Sequence, residues 1–423
     1  MKNSIFVQLA SYRDPQLIPT IEDLLSKARK PEMFTFGICL QYDEEDDLTY
    51  FDNKPNFRVE KYHYSESQGL GWARNVTNKL YQGEEFTLQL DSHHRFAKDW
   101  DIMLLQDYFQ AATLSEKPVI STYCTPFNPF SEEPYNEMPC IMSQYEFSDD
   151  KLLMSMPYYI QDHKTRTSVI RNRTISGHFY FTNGKFIEEV PYDPDIYFGG
   201  YTEETTLSLR AFTYGYDVYC PYRQYIWHEY SRNYRRKHWD DHGKKEDTPQ
   251  DKTSGERDVY SRNKTRQLFG QEDHGIDMGI YDLGSVRTLR DYELFGGFDF
   301  KKCRIHDYTL KVNSPPNSID WDAGFVSTKY KIRAEWDVDF FKKFEAKTPK
   351  FLTMGILSKK GTELFRNDFV IENHPDYVNL VTNVYEKEIL SEDKPEKLVM
   401  YLFDADKKWS ERYERPIKSE KIV

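Results

Sequence analysis

Apolar and polar residues alternate along residues 86–91, Phe-Thr-Leu-Gln-Leu-Asp, and this period of two predicts a β-strand. The predicted strand ends at Asp91, and Ser92, His93 and His94 follow it. In open α/β sheets, ligands bind outside the carboxyl ends of the strands. A carboxylate and an imidazole two residues apart suit Mn²⁺ or a similar divalent ion. Because an isolated Asp-x-His is more often an ordinary polar turn, the rest of the chain decides between a turn and a metal site.

The first 300 residues show the alternation of strands and helices that is typical of an α/β protein with a parallel sheet. Short apolar runs predict the strands, and apolar residues that recur every three or four positions predict the helices. The predicted strands are residues 4–10, 34–41, 57–63, 86–91, 118–123, 176–181, 217–221 and 224–228, with helices that begin near residues 14, 69, 102 and 202. We therefore predict an α/β domain over residues 1–300.

Three later segments have a different pattern. Residues 125–150 contain prolines and acidic residues, which predicts a loop that is functional or mobile rather than part of the core. Residues 240–275 are charged and show little periodicity, which predicts a flexible or ligand-ordered segment. After residue 301, short apolar runs alternate with polar turns, the first of them over residues 308–312. This pattern of short strands and turns predicts a smaller β-rich domain, a β-sandwich, over residues 301–423.

The composition narrows the classes of function. A chain of 423 residues is long enough for two or three domains. The formal net charge of −12 argues against a general nucleic-acid binder. The 32 tyrosines are a mild indication of sugar binding, because a tyrosine ring can stack on a pyranose face. The five cysteines are widely scattered without metal-finger or redox spacing, which indicates a reducing compartment.

Membrane and export signals are not evident in the sequence. No stretch approaches the roughly 20 apolar residues that span a bilayer, and the N-terminal residues lack the features of a signal peptide. We therefore expect a soluble, cytoplasmic protein without a transmembrane segment. Peripheral membrane contact and the oligomeric state are left open.

Five motifs follow one another in a familiar order. They are Ser11-Tyr-Arg-Asp14, Gly69-Leu-Gly-Trp-Ala-Arg74-Asn75, Asp91-Ser-His93, Gly199-Gly200-Tyr-Thr-Glu-Glu204 and His228. This order resembles the nucleotide-sugar glycosyltransferases of the GT-A fold, whose catalytic domain is Rossmann-like.

The chain is most similar to glycosyltransferase family 60, the N-acetylglucosaminyltransferases typified by the cytoplasmic enzyme that glycosylates hydroxyproline on a ubiquitin-ligase subunit. The segments IFVQLASYRDPQL at residues 5–17 and WHEYSRNYRRKHW at residues 227–239 are the most family-specific pieces. The polypeptide N-acetylgalactosaminyltransferases are a more distant resemblance. The likeness covers roughly residues 4 to 300 and leaves the remaining tail unexplained.

The resemblance implies a metal site. Asp91 and His93 would hold Mn²⁺ or Mg²⁺, and His228 would be the third protein ligand. The ion would bridge the two phosphates of UDP and neutralise charge on the departing diphosphate. A satisfied histidine at a strand end is an equally good interpretation of His228 alone. His94 ranks lower, because it would point to the opposite side of a continuing strand.

The resemblance also implies a donor site. Uridine and ribose would lie at the end of the first strand, and a mobile basic lid would close over the diphosphate, although a solvated basic patch is the alternative. Arg74 would meet either the diphosphate or the Asp91 carboxylate, and Asp14 would either contact the nucleotide or cap the first helix. The candidate donor-binding residues are Ser11, Tyr12, Arg13, Arg74, His178, Gly200, Arg232 and Arg235.

Glu203 and Glu204 are the candidate catalytic acids. Acidic residues at a helix N-terminus are often only complements to the helix dipole. In the enzymes that the chain resembles, an acid at this place faces the transferred sugar, and the sequence does not say which of the two it is. The family also implies retaining transfer without a conventional nucleophile, in which the departing phosphate takes the acceptor proton. We therefore assign these acids to positioning of donor and acceptor.

The function that the resemblance implies is metal-dependent, retaining transfer of N-acetylglucosamine (GlcNAc) from UDP-GlcNAc to a hydroxyl of a protein or glycan acceptor. One alternative is a non-catalytic carbohydrate-binding protein on a degenerate transferase scaffold. A second alternative is a transferase that uses another UDP-sugar on a bacterial surface glycan or lipid-linked saccharide.

Overall fold

Apolar strands that are buried on both faces build the central sheet, as expected where helices cover a mostly parallel sheet on either side. In the first strand, Ile5, Val7 and Leu9 are fully buried. They share one core with Leu17 and Ile21 from the apolar stripe of the first helix. The sequence pattern therefore predicts both elements correctly.

The computed structural model of the protein describes most of the chain. The described residues are 4–46, 48–130, 135–197, 200–231, 234–245, 252–317, 320–321, 324–325, 329–336, 349–370, 384–391, 393–404 and 408–422. The chain forms two compact units. The first unit comprises Met1–Arg304 and Tyr308–Ser318, and the second unit comprises Ile305–Asp307 and Ile319–Val423. The roles that we assign to the regions before and after residue 300 stay predictions.

The strands are short and numerous. They are β1 (Ile5–Tyr12), β2 (Phe34–Tyr42), β3 (Phe57–His63), β4 (Phe86–Asp91), β5 (His94–Phe96), β6 (Pro118–Ser121), β7 (Thr125–Pro126), β8 (Cys140–Phe147), β9 (Leu153–Tyr159), β10 (Ile170–Arg171), β11 (Phe179–Asn183), β12 (Asp217–Cys220), β13 (Ile226–His228), β14 (Phe298–Asp299), β15 (Arg304–Ile305), β16 (Lys329–Glu335), β17 (Pro349–Ser358), β18 (Glu363–Val370), β19 (Val384–Leu390), β20 (Pro395–Asp404), β21 (Lys408–Trp409), β22 (Tyr413–Pro416) and β23 (Lys418–Lys421).

The helices lie mainly in the first unit. They are α1 (Leu17–Lys27), α2 (Leu70–Asn78), α3 (Trp100–Ala112), α4 (Phe186–Glu189), α5 (Gly200–Thr213), α6 (His238–His242), α7 (Ser254–Leu268), α8 (Leu289–Gly296) and α9 (Asp307–Leu310), with short 3₁₀ turns at Pro31–Met33, Tyr64–Glu66 and Gly279–Tyr281. In the described part of the chain, no helix has the length and apolar character needed to cross a bilayer.

The first unit is organised around an eight-stranded sheet in the order β10-β12-β6-β11-β4-β1-β2-β3. Strands β4, β1, β2 and β3 run parallel to one another, as β6 and β12 do. Strand β11 is antiparallel to both β4 and β6 and joins the two parallel groups. The predicted α/β class is confirmed. The carboxyl ends of β1 and β4 lie side by side, since Ala10 pairs with Asp91.

The second unit contains two antiparallel sheets. One has the order β19-β16-β23, and the other has the order β18-β17-β20-β21 with β22 also paired to β20. Leu352, Met354 and Ile356 of β17 are fully buried, which is the period-two pattern of a strand with one core-facing side. The predicted β-rich C-terminal region is therefore confirmed.

Two local predictions, for residues 308–312 and for residues 125–150, are wrong. Residues 308–312 fall in and just after helix α9, because five residues are too few to separate a strand period from a helical turn. The stretch 125–150 is not entirely loop, since β8 pairs with β9 over Cys140–Phe147 and begins with buried residues. Residues 131–134 lie outside the described part of the chain.

The charged segment 240–275, for which the sequence predicts a flexible or ligand-ordered structure, contains the long helix α7. Its apolar residues have no helical period, so the pattern gave no sign of it. The start of the helix carries a signal that was available in the sequence. Thr253 accepts a hydrogen bond from the backbone of Glu256, whose side chain in turn accepts from the Thr253 backbone, and together they form a capping box.

The start of α2 packs against the loop before α5 with no room for a side chain at Gly71. The backbone N–H of Leu70 donates to the Tyr197 carbonyl at 2.9 Å. A Cβ atom on Gly71 would lie 2.1 Å from the Ile196 carbonyl oxygen and 2.6 Å from that of Asp193. Since both contacts are with backbone atoms, a side-chain rotamer change cannot relieve either clash.

We expect Gly71→Ala to lower the free energy of unfolding by about 1–3 kcal/mol, because the clash forces the backbone of α2 and its neighbouring loop apart. Urea unfolding followed by circular dichroism measures this. The matched control is Gly255→Ala in α7, where a Cβ atom meets nothing within 4 Å. This control should be neutral or slightly stabilising, as alanine favours helix over glycine. Equal stability of Gly71→Ala and wild type would contradict the packing described here.

Candidate functional site

Three predicted metal-binding residues come together at the carboxyl end of β4. Asp91 is the last residue of β4, and His93 follows it by two positions. His228 arrives from a distant part of the chain, because β13 pairs with β5 in a register that places His228 beside His94. One side-chain ligand atom from each of Asp91, His93 and His228 lies within 4.8 Å of the other two.

The atoms of this cluster fit a divalent ion. The Asp91 Oδ2 atom lies 3.2 Å from His228 Nε2 and 3.7 Å from His93 Nε2. The buried His93 Nε2 atom has no hydrogen-bond partner among the described residues. An orphaned imidazole nitrogen beside a carboxylate oxygen and a second imidazole forms the N,N,O donor set that suits Mn²⁺ and related ions.

His94 is not a member of this cluster, although its ring centroid lies 4.9 Å from that of His228. Its Nδ1 is 2.9 Å from the Trp227 carbonyl oxygen and its Nε2 is 3.1 Å from that of His178. Burial lowers the pKa of His94 to about 3. A backbone carbonyl oxygen thus lies within hydrogen-bond distance of each ring nitrogen, which agrees with the low rank given to His94 as a ligand.

His178 lies next to the cluster without joining it. Its Nε2 accepts a hydrogen bond from the backbone N–H of Cys124 at 3.0 Å, and its ring centroid is 4.5 Å from that of His228. Residue 178 also lines the cavity described below. The structure therefore places His178 as a wall of the site.

Arg74 of α2 connects the cluster to α5. Its guanidinium is 1% exposed and contacts the Asp91 carboxylate through Nη2 at 2.6 Å. The Nη1 group donates to the Glu203 carboxylate and lies 2.6 Å from the Tyr192 hydroxyl. Burial disfavours the charge of Arg74, but the surrounding acidic groups outweigh this and raise its pKa above the ordinary value. Arg74 is thus a permanent buried cation.

The same contacts keep Asp91 ionised. Burial alone would raise the pKa of Asp91, but the His228 hydrogen bond and the Arg74 charge hold it well below its ordinary value. The carboxylate divides its contacts, with Oδ1 on Arg74 and Oδ2 facing the two histidines. One oxygen of Asp91 therefore stays directed at the histidine pair.

Glu203 and Glu204 have different environments although they are neighbours. Glu203 is bound by Arg74 and by the Tyr192 hydroxyl, at 3.0 Å. Glu204 accepts from the backbone N–H of Gly177 at 3.0 Å. Burial raises the pKa of Glu204 from 4.5 to about 8. Glu203 is the ion-pair partner of Arg74, and Glu204 is a neutral acid at pH 7.

One cavity brings most of the predicted residues together. Tyr12, Arg74, His178, Glu203, Glu204 and Arg235 line it beside Asp91 and His93. Ser11 is buried, and its Oγ atom has no hydrogen-bond partner among the described residues. Arg13 is held away from the cavity by ion pairs with Asp43 and Asp241. Gly200 is the first residue of α5, and Arg232 lies outside the described residues.

The basic segment, residues 234–239, lies over the end of β1. The Arg235 Nη1 group donates to the Tyr12 carbonyl at 3.2 Å, and Lys237, His238 and Trp239 complete the cavity wall. The sequence prediction missed His238 and Trp239. A signal for them was present, since both belong to the family-specific segment 227–239, in which roles were predicted only for His228 and for the basic residues of the lid.

Comparisons with known proteins bear on the family of the chain. A family model described as "Glycosyltransferase (GlcNAc)" matches residues 4–54 and 49–302. No curated protein sequence matches the chain.

Solved structures with some likeness include GalNAc-T7 crystallised with UDP, GalNAc and Mn²⁺, at 15% identity and a TM-score of 0.40, covering 54% of this chain and 43% of that one. Another is S. aureus TarS 1–349 in complex with UDP-GlcNAc, at 17% identity and a TM-score of 0.33, covering 54% of this chain and 58% of that one. The chain thus spans less than two thirds of either structure. At these TM-scores neither likeness assigns a residue or a ligand to this protein.

We expect Arg74→Met to lower the free energy of unfolding by about 3–5 kcal/mol, because it leaves the Asp91 and Glu203 carboxylates without their shared buried cation. Urea unfolding of the variant measures the loss. The control is Arg29→Met, since Arg29 is 63% exposed in its ion pair with Asp99 and its removal should have little effect. Equal losses in the two variants would contradict the assigned role of Arg74.

Glu204 predicts a pH-dependent stability. Its folded-state pKa of about 8 lies above the ordinary 4.5, so the associated stabilisation is fully present below pH 4.5 and is lost as the pH rises toward 8. Glu204→Gln keeps the neutral shape. Its stability relative to wild type should therefore increase by at most about 1.4 kcal/mol per pH unit across this window.

Melting temperatures of wild type and Glu204→Gln between pH 5 and 9 test this expectation. Glu188→Gln, on the exposed side of α4, is the control. A difference between Glu204→Gln and wild type that does not change with pH would show that Glu204 is ionised throughout.

Proposed function

The chain belongs to the GlcNAc glycosyltransferase family, and from this membership we propose that it is a metal-dependent, retaining enzyme that transfers GlcNAc from UDP-GlcNAc to a hydroxyl of a protein or glycan acceptor. The observation that carries the proposal is the Asp91, His93 and His228 cluster, because Asp91 and His93 line the same cavity as Glu204 and Arg235. A carbohydrate-binding protein without transferase activity has no need of a metal cradle beside a buried neutral acid.

We assign the metal to Asp91, His93 and His228. The orphaned His93 Nε2 atom and the ionised Asp91 carboxylate support the assignment. Mn²⁺ or Mg²⁺ bound there would neutralise charge on the diphosphate as it departs from the sugar.

The diphosphate end of the donor is assigned to the basic segment. Arg235 and Lys237 bring positive charge to the cavity wall of a protein whose formal net charge is −12. Arg74 is less suited to phosphate, because Asp91, Glu203 and Tyr192 already occupy its two Nη groups. Of the two roles that the sequence left open for Arg74, the contact with Asp91 is therefore the one we adopt.

Glu204 is the acid that we place against the transferred sugar. Its neutral carboxyl is able to donate a hydrogen bond to a sugar hydroxyl or to the acetamide carbonyl. Glu203 is committed to Arg74 and holds α5 in place. We therefore propose that Glu204 contacts the substrate and that Glu203 has a structural role.

The proposed reaction breaks the bond between the sugar C1 and the diphosphate oxygen and forms a bond between C1 and the acceptor oxygen. The proton of the acceptor hydroxyl passes to the departing diphosphate oxygen. No glycosyl–enzyme bond is needed, which fits a site whose two glutamates are a neutral acid and an ion-pair partner. The protein's own contribution is to hold the donor and to keep the reacting atoms together.

We expect His93→Ala to abolish metal-dependent UDP binding and to slow transfer about 100-fold or more, since it removes one of three metal ligands. Isothermal calorimetry with UDP, with and without Mn²⁺, measures the binding. Mass spectrometry of the products from UDP-GlcNAc measures the transfer. His274→Ala is the control, because His274 pairs with Glu272 on the surface.

The same measurements separate the alternatives. UDP binding that needs no metal, in wild type and in His93→Ala alike, would contradict the proposal and favour a carbohydrate-binding protein. A panel of UDP-GlcNAc, UDP-N-acetylgalactosamine, UDP-glucose and UDP-galactose tests the donor. The cytoplasmic location stays a prediction from the sequence.

A further inference from the structure

We infer that Asp14 is a positioning residue for the metal site, which holds the His93 ring with its Nε2 atom directed toward Asp91 and His228. This role differs from both functions that the sequence left open for Asp14, a nucleotide contact and a helix cap. The inference rests on the proposed function, because it assumes that His93 is a metal ligand.

Asp14 is fully buried and uses both carboxylate oxygens. The Oδ2 atom lies 2.7 Å from His93 Nδ1 and accepts from the Ser92 hydroxyl at 2.6 Å. The Oδ1 atom accepts from the backbone N–H of Gln16 at 2.9 Å, just before α1. The side chain of Asp14 has 0% exposure, so water does not compete for these contacts.

The contact with Asp14 determines the tautomer of His93. An ionised carboxylate only accepts hydrogen bonds, so the proton of a neutral His93 ring lies on Nδ1. The lone pair is then on Nε2, the buried atom without a hydrogen-bond partner in the described part of the chain. In the other tautomer, Nε2 would carry a hydrogen and would be unable to bind a metal. Carboxylates that hold a metal-binding histidine in this way are a general feature of metal sites.

The sheet explains why these two residues meet. Ala10 of β1 pairs with Asp91 of β4, and the chain leaves both parallel strands at the same edge of the sheet. Asp14 and His93 follow these paired residues by four and two positions, respectively. The Arg235 Nε group lies 3.4 Å from the same Asp14 oxygen, so one carboxylate touches both the metal-site histidine and the basic segment.

Asp14→Asn is the informative variant, because it keeps the size of the side chain and removes one of two acceptor oxygens. If the amide oxygen stays on the Gln16 N–H, the amide NH₂ faces His93 Nδ1 and selects the wrong tautomer. If the amide turns over, the Gln16 N–H faces an NH₂ group instead. Either arrangement weakens the support of His93.

A matched control is Asp101→Asn. Asp101 is also fully buried, and its two oxygens accept from the backbone N–H groups of Arg29 and Lys30 at 2.8 and 3.0 Å. Its replacement removes a comparable acceptor without touching the metal-site histidines. Comparison of the two variants thus separates loss of metal binding from loss of stability.

The test is Mn²⁺ titration followed by electron paramagnetic resonance of the free ion, at a fixed, saturating concentration of UDP. We expect Asp14→Asn to weaken Mn²⁺ binding about 10–100-fold. Asp101→Asn should change the Mn²⁺ affinity by less than about threefold, although its melting temperature should be similar to that of Asp14→Asn. Transfer activity of Asp14→Asn should partly recover at high Mn²⁺, which a general folding defect would not produce.

The outcomes distinguish this inference from the proposed function. If His93→Ala binds Mn²⁺ as well as wild type, the metal site itself is wrong, and the role of Asp14 is wrong with it. If Mn²⁺ binding depends on His93 but Asp14→Asn binds as tightly as wild type, the role of Asp14 alone is wrong.

A second measurement needs no variant of Asp14 and covers the case in which Asp14→Asn does not fold. Nitrogen-15 resonances of labelled histidine in the metal-free wild type report which ring nitrogen carries the proton, with His93→Ala giving the assignment. Protonation of His93 at Nδ1 is the expected result. Protonation at Nε2 would overturn the inference.

Discussion

One buried guanidinium determines the arrangement of the candidate site. Arg74 is 1% exposed and binds Asp91 of β4 and Glu203 of α5 at the same time. Only arginine offers several donors in a rigid planar fork and keeps its charge in such surroundings. The central sheet and two helices, α2 and α5, therefore meet at a single charge. Any shift of α2 would separate that charge from both carboxylates.

The charge balance around Arg74 explains the different states of the three neighbouring acids. One cation faces two ionisable partners, Asp91 and Glu203, while Glu204 accepts from a backbone N–H and has no ion pair among the described residues. Burial raises the pKa of Glu204 and favours its protonated form. Asp91 stays ionised, so its oxygen that faces the histidines carries negative charge at the cavity. A divalent ion in the proposed site would complement this charge, and a neutral acid beside it would suit an uncharged sugar.

One wall of the cavity is formed by a positively charged segment, in contrast to the negative net charge of the chain. The net charge is −12, yet Arg235 and Lys237 face the cavity. Asp14 links this segment to the metal site, because one of its oxygens lies near both Arg235 and His93. The geometry therefore ties the part that would hold the diphosphate to the part that would hold the ion.

The sequence by itself determined the elements with a clear period and the residues that follow them. The α/β class, β4 and the Asp91-Ser-His93 turn belong to this group, because a strand of alternating residues and its polar end are contiguous. Helix α7 was missed, since its residues show no helical period and only the capping box at Thr253 marks it. Contacts between distant residues were decided by the tertiary structure alone. His228 is 137 residues from Asp91 in the sequence and contacts it because β13 pairs with β5. The position of Arg74 decides that Glu203 forms an ion pair with it and that Glu204 does not. A local pattern shows which face of a helix or strand is buried. It does not show which residues pack against that face, because those residues come from another part of the chain.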